Sequence, residues 1–158
     1  MRIKRTFTRK VQPDPRYNST KIAKLVNSVM HDGKKSVAQK QVYQALESLE
    51  KTTGKKALEV FDEVVGRVSP QVEVRSRRIG GAAYQVPTPV RPQRAFALAL
   101  RWLIQEARKR PNSQYQTFAQ KLTAEMTDAL KDQGGAVEHK NTAHRMAESN
   151  KAFAHFRW

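Results

Sequence analysis

Ile22, Leu25, Val26, Val29 and Met30 recur every three or four residues, the spacing that lines apolar side chains along one face of a helix. The pattern predicts a first helix that starts at Asn18 or Ser19, either of which can cap it, and that ends at Asp32-Gly33. Lys21 and Lys24 lie away from that apolar stripe. A second helix is predicted after Gly33-Lys34-Lys35, with Ala38, Val42, Ala45, Leu46 and Leu49 inward. A third follows with Ala57, Leu58, Phe61, Val64, Val65 and Val68, closed by Pro70. Pro92 suits the first turn of a long helix that stops before Pro111, and its dense apolar content marks it as the central helix of a bundle. Tyr115, Phe118, Ala119, Leu122, Met126, Ala129 and Leu130 define another helix ended by Gly134-Gly135. Residues 136–158 read as a last helix and tail.

Between Pro70 and Pro92 the period changes to two, through QVEVRSRRI and then AAYQVPTPV around Gly80-Gly81, which predicts a β-hairpin. Pro87 and Pro89 cannot donate ladder hydrogen bonds, so the second strand is an edge or is unpaired in its distal part. Arg75 and Arg77 point to one side and Arg78 to the other. Burying either face would bury unpaired guanidinium groups at several kcal/mol each, so the hairpin is expected to project. The fold class is therefore mainly α, a bundle of about six helices with one protruding β-hairpin arm. It reads as one domain over residues 1–158, with a basic extended arm at 1–17, the hairpin arm at 71–90 and a C-terminal helix and tail at 136–158.

A chain of 158 residues can bury roughly 70% of its unfolded surface and needs no staple to fold. There is no cysteine, which fits a reducing compartment and removes thiolate metal sites and thiol nucleophiles. No apolar run approaches the 18 or so residues of a membrane span, and no apolar stretch follows the basic N-terminus, so a cytosolic protein is expected.

Catalysis finds no footing. The segment Asp32–Ser36 resembles the end of a phosphate-binding loop, but that motif needs a glycine where Ser28 stands. His139 and His144 are five apart, about 140° around a helix, and cannot share a metal as an i, i+4 pair does. The expectation is no enzyme activity, no metal and no cofactor.

Charge changes the picture most. The net charge is +16, and it is concentrated. Residues 1–24 set Arg2, Lys4, Arg5, Arg9, Lys10, Arg16, Lys21 and Lys24 against Asp14, and residues 75–94 hold Arg75, Arg77, Arg78, Arg91 and Arg94 with no acid. Arg94, Arg101 and Arg108 are spaced by seven, which makes a ridge roughly 21 Å long on the central helix. A positive field localised in this way calls for a polyanion. Gly80 and Gly81 let the hairpin tip approach a nucleic-acid backbone closely, and Tyr84 offers a ring for base stacking.

Four collinear motifs carry a family resemblance: PDPRYNSTKIAKLVNSVMHDGKKSVAQ, VEVRSRRIGGAAYQVPTPV, ALRWLI and HRMAESNKAFAHFRW. Over its whole length the chain resembles the bacterial type of small-subunit ribosomal protein number seven. The resemblance implies direct binding of small-subunit ribosomal RNA, nucleation of the subunit head, and a place near the exit-site transfer RNA and the messenger path. Neighbouring partners would be the head and platform proteins numbered nine and eleven. On that pattern Lys34, Lys35, the hairpin arginines, Arg94 and Arg101 would face RNA. The candidate RNA-binding set is then Arg2, Lys4, Arg5, Arg9, Lys10, Lys21, Lys34, Lys35, Arg75, Arg77, Arg78, Arg91, Arg94, Arg101 and Arg108. Gly80, Gly81, Ala82, Tyr84, Lys151 and Arg157 would lie near transfer or messenger RNA. The chain departs from the usual pattern at Ala83 and Pro89. Two other readings are a DNA-binding architectural protein with a two-stranded arm and an RNA-modifying enzyme. The second lacks a cofactor loop and a catalytic constellation.

Overall fold

The structure is a computed structural model that describes residues 11–157. Six α-helices and one hairpin are present among them: α1 Thr20–Val29, α2 Lys35–Thr53, α3 Ala57–Val68, β1 Val72–Ile79, β2 Ala82–Pro89, α4 Pro92–Lys109, α5 Phe118–Leu130 and α6 Gly135–Ser149. A 3-10 segment, Lys151–Phe156, follows α6. The mainly helical class with one hairpin holds as read from the sequence.

The apolar stripes do most of the organising. Ile22, Leu25, Val26, Leu46, Leu49, Phe61, Leu103, Leu122 and Met126 join in a continuous core. α5 lies deepest, packed against α2, α3, α4 and α6, while α4 also contacts α1, α3 and α6. The expected central role of α4 is thus shared with α5, because α4 buries only the side with Ala99, Leu100, Leu103, Ile104 and Ala107. Arg94, Ala97, Arg101, Gln105 and Arg108 form its exposed stripe.

Several local expectations change, among them that Tyr115 lies outside α5 and that Gly135 begins α6. α1 ends at Val29, before the Asp32-Gly33 turn, in which both residues adopt positive φ (51° and 73°). In α3 the inward side chain is Val60, whereas Leu58 is 37% exposed, because Leu58 sits on the flank of a stripe centred on Phe61 and Val68. The extended arm read over residues 1–17 falls partly outside the described residues. Its described part is tied down: Asp14 is buried and its carboxylate accepts from the backbone N–H groups of Arg16 (3.1 Å) and Tyr17 (3.2 Å) and from the Tyr43 hydroxyl (2.7 Å). Burial and the bond to Asp14 push the Tyr43 phenol up to about 12.

Polar groups fix the α4–α5–α6 corner. The Arg110 guanidinium donates to Glu125 at 2.7 and 3.0 Å and to Asp128. Burial opposes its charge, but Asp128 and Glu125 together raise its pKa. The other Glu125 oxygen accepts the buried Ala136 N–H at 3.0 Å. Lys121 reaches the Arg110 carbonyl (2.6 Å) and the Asn112 side-chain oxygen (2.5 Å). A Cβ on Gly134, which has φ +92°, would stand 3.0 Å from Glu125 Oε1, so glycine there serves both the turn and the close approach.

Removing Glu125 strands a buried N–H and a guanidinium. Glu125→Ala should therefore lower unfolding free energy by about 3 kcal/mol in urea melts. Glu47→Ala, which breaks an exposed pair with Arg16, should leave the midpoint nearly unchanged.

Candidate nucleic-acid interface

The hairpin is built as its turn dictates. Gly80 and Gly81 both have positive φ (57° and 91°), the signature of a two-residue type I′ turn. The register pairs Ile79 with Ala82, Arg77 with Tyr84, Arg75 with Val86 and Glu73 with Thr88. In such a ladder Pro87 and Pro89 fall at non-hydrogen-bonded positions, so their missing N–H groups face away from β1. Pairing accordingly runs to Val72–Pro89. The outward Pro87 carbonyl accepts from Arg157 Nε at 3.2 Å.

Only the outer half of the hairpin projects. At its root Glu73, Val86 and Pro87 are buried, with α6 and the 3-10 segment packed against the strands. This corrects the expectation that no face is covered. Arg77 and Arg78 lie in the outer half, whereas Arg75, opposite the buried Val86, belongs to the root. The half-buried Tyr84 ring lies 5.4 Å from Phe153 and 5.3 Å from Phe156, so it packs on the chain's own C-terminal segment.

Glu73 organises the root. Its carboxylate accepts from Arg94 Nε at 2.8 Å and pairs with Arg75 at 2.6 Å. Burial raises its pKa, yet the hydrogen bonds from Arg94 and Arg75 outweigh that and hold it below the ordinary carboxylate range. Around it Arg75, Arg91, Arg94 and Arg157 line one cleft with Thr88 and Pro89. Four guanidinium groups from β1, the head of α4 and the C-terminal segment thus converge, and planar forks of this kind suit phosphate oxygens.

The second part of the surface lies along α4. Arg101 and Arg108 rim a groove of about 640 Å³ between α1 and α4, with Lys24 on the opposite wall. Lys24 Nζ stands 5.6 Å from the Phe96 ring centre, a cation–π distance. Arg108 donates to the Val29 carbonyl at the end of α1 (3.3 Å) and faces Lys34 across an adjoining hollow. Lys35 is exposed at the start of α2.

Not every candidate joins this surface. Lys21 turns to α3 and pairs with Asp62 at 2.8 Å. Arg94 leaves the α4 ridge for the Glu73 cluster and so belongs to the root cleft instead of the groove. Arg78 is exposed on the hairpin face opposite Arg75 and Arg77, and Arg77 is half-buried. Gly80, Gly81 and Ala82 form the exposed tip, and Lys151 lines a hollow with Pro87 and His144. Arg2, Lys4, Arg5, Arg9 and Lys10 lie outside the described residues. Among the described residues no group of three His, Asp or Glu is placed to hold a metal ion, and no helix is long and apolar enough to cross a membrane.

Residues 1–151 match the family model for ribosomal protein S7p/S5e. The chain belongs to that family. It is 53% identical over 150 residues to the small ribosomal subunit protein uS7 of Caldanaerobacter subterraneus, covering 95% of this chain and 94% of that protein. It is also 50% identical to the uS7 protein of Pelagibacter ubique over the full length of both, and 53% identical to that of Vibrio campbellii, with 95% and 94% covered. As a member of the S7p/S5e family it is a structural protein of the small ribosomal subunit, and RNA binding and a part in translation follow from that membership.

Sequence reasoning missed two contributors to this S7p/S5e-family surface. Glu73 was passed over because it falls just outside the acid-free stretch, although its i, i+2 relation to Arg75 puts both on one strand face. Lys24 joins Arg101 and Arg108 only through the α1–α4 contact, which no local pattern encodes.

With the Glu73 pKa held below its ordinary value, its pairs stabilise the fold at neutral pH, and that contribution is lost as pH falls through the lowered folded value. Glu73→Gln should cost about 1 kcal/mol at pH 7, and the gap from wild type should narrow as melts are taken below pH 4.5.

Proposed function

We propose that this protein is a primary RNA-binding member of the small subunit that grips ribosomal RNA through the arginine cleft at the hairpin root and the basic face of α4. Two basic sites carry the reading: Arg75, Arg91 and Arg157 around one cleft, and Lys24, Arg101 and Arg108 around one groove, drawn from four separate segments. Self-repulsion on such a surface is relieved when phosphates displace the counterions. With both ends of α4 committed to one polyanion, the protein can fix the relative directions of the RNA helices it touches. That is the physical requirement for nucleating the subunit head. The basic segment 1–10 adds cations to the same partner.

The hairpin tip, Gly80 to Ala82, and the C-terminal segment with Lys151 and Arg157 would then be presented to the exit-site transfer RNA and the messenger path. Head and platform neighbours, including the proteins numbered nine and eleven, would cover the surfaces left by the RNA. The family membership argues against the DNA-binding reading. Competition by duplex DNA against folded small-subunit ribosomal RNA tests it directly, since an architectural DNA binder would hold both equally.

If 6 to 10 phosphates are contacted, affinity for ribosomal RNA should fall by about 10³ to 10⁵ between 50 and 200 mM salt. Arg101→Ala and Arg78→Ala should each reduce the salt slope by about 1 while leaving the melting midpoint unchanged. A flat salt dependence, or a collapse of stability in either variant, would count against the reading. Subunits reconstituted without the chain should lack their head proteins; a complete head formed in its absence would remove the nucleating role.

A further inference from the structure

The groove between α1 and α4 has more than phosphate chemistry in it. Its floor is apolar, made by Phe96, Ala97, Leu100 and Ile104, and Phe96 is half-buried with one side toward the groove. Its walls carry the side-chain amides of Asn27, Gln93 and Gln105, and its rim carries Lys24, Arg101 and Arg108. No aspartate or glutamate lines it. A volume of about 640 Å³ is that of a small-molecule site, roughly 300 to 1,000 Å³. A face that met only duplex backbone would need the cations but neither the apolar floor nor the amides.

We propose that this groove receives one unpaired nucleotide of the bound RNA: the base stacks on Phe96, its polar edge meets the amides, and its flanking phosphates meet Arg101 and Arg108. The proposal rests on the RNA-binding reading above and adds a subsite to it. The physical logic is that an unstacked base offers an apolar face and a hydrogen-bonding edge together, and this is how single-stranded RNA is distinguished from duplex. Arg108 borders the groove and is anchored at its end by a bond to the Val29 carbonyl (3.3 Å). Lys24 caps one face of Phe96 and supports the ring from the α1 side. A peptide side chain from a neighbouring protein also suits an apolar floor, but three cations and no acid favour a polyanion.

The test uses the full chain and two RNA hairpins of equal length and charge, one fully paired and one with a three-nucleotide bulge, at fixed salt. Wild type should prefer the bulged RNA by about tenfold. Phe96→Leu keeps an apolar floor but removes the stacking face. It should abolish most of that preference while leaving duplex affinity and the salt slope unchanged. Gln105→Ala, at an exposed position that cannot endanger folding, should blunt discrimination between adenosine and uridine in the bulge.

Three results would overturn the subsite while leaving the RNA-binding reading intact. One is equal binding of the two RNAs by wild type. Another is a bulge preference that survives Phe96→Leu. The third is a loss in that variant shared equally by both RNAs, which would mean that Phe96 merely holds α1 on α4. Failure of wild type to bind either RNA would overturn the functional reading and the subsite with it.

Discussion

The carboxylate of Glu73 ties the base of the hairpin to the head of α4. It is buried at the root of β1 and takes two arginines, one from its own strand and one from the head of α4. Without it the guanidinium groups of Arg75 and Arg94 would repel one another across the junction, which the packing of α6 and the 3-10 segment on the strands would then have to hold by itself. With it the junction is neutral enough to pack, yet Arg91 and Arg157 remain around it to take a phosphate. The same acid lets a strongly basic surface be both folded and receptive.

α4 shows the second half of that compromise. One side is core, and the other is a stripe of arginine, glutamine and alanine that nothing in the bundle covers. The apolar contacts of the buried side set the stability, and the exposed stripe is left to bind. Cations on α1 and the C-terminal segment are brought to this stripe by packing between elements far apart in sequence. The corner held by Arg110 and Glu125 keeps α5 and α6 in place behind it.

Much of this was legible in the chain. Helical stripes and the Gly80-Gly81 turn are local signals that survive translation into structure, whereas the seven-residue arginine spacing survives only for Arg101 and Arg108. The inward residues of α2 appear in the fold as read. What the residues concealed was pairwise and long-range: Lys21 finding Asp62, Tyr84 finding Phe153 and Phe156, and Arg157 closing on the Pro87 carbonyl. Charge counted along the sequence could not show that Lys21 is neutralised and that Lys24, three residues on, borders the groove. Tyr84 shows the same limit: its packing partners lie some seventy residues later in the chain.

RNA–protein crosslinking of the assembled small subunit, with the attached residues read by mass spectrometry, tests the binding face most directly. Crosslinks should concentrate on Lys24, Lys34, Arg78, Arg91, Arg101, Arg108 and Arg157 and be absent from the α3 surface around Asp62 and Glu63. Crosslinks centred on that α3 surface, with α4 and the hairpin root clean, would contradict the assignment.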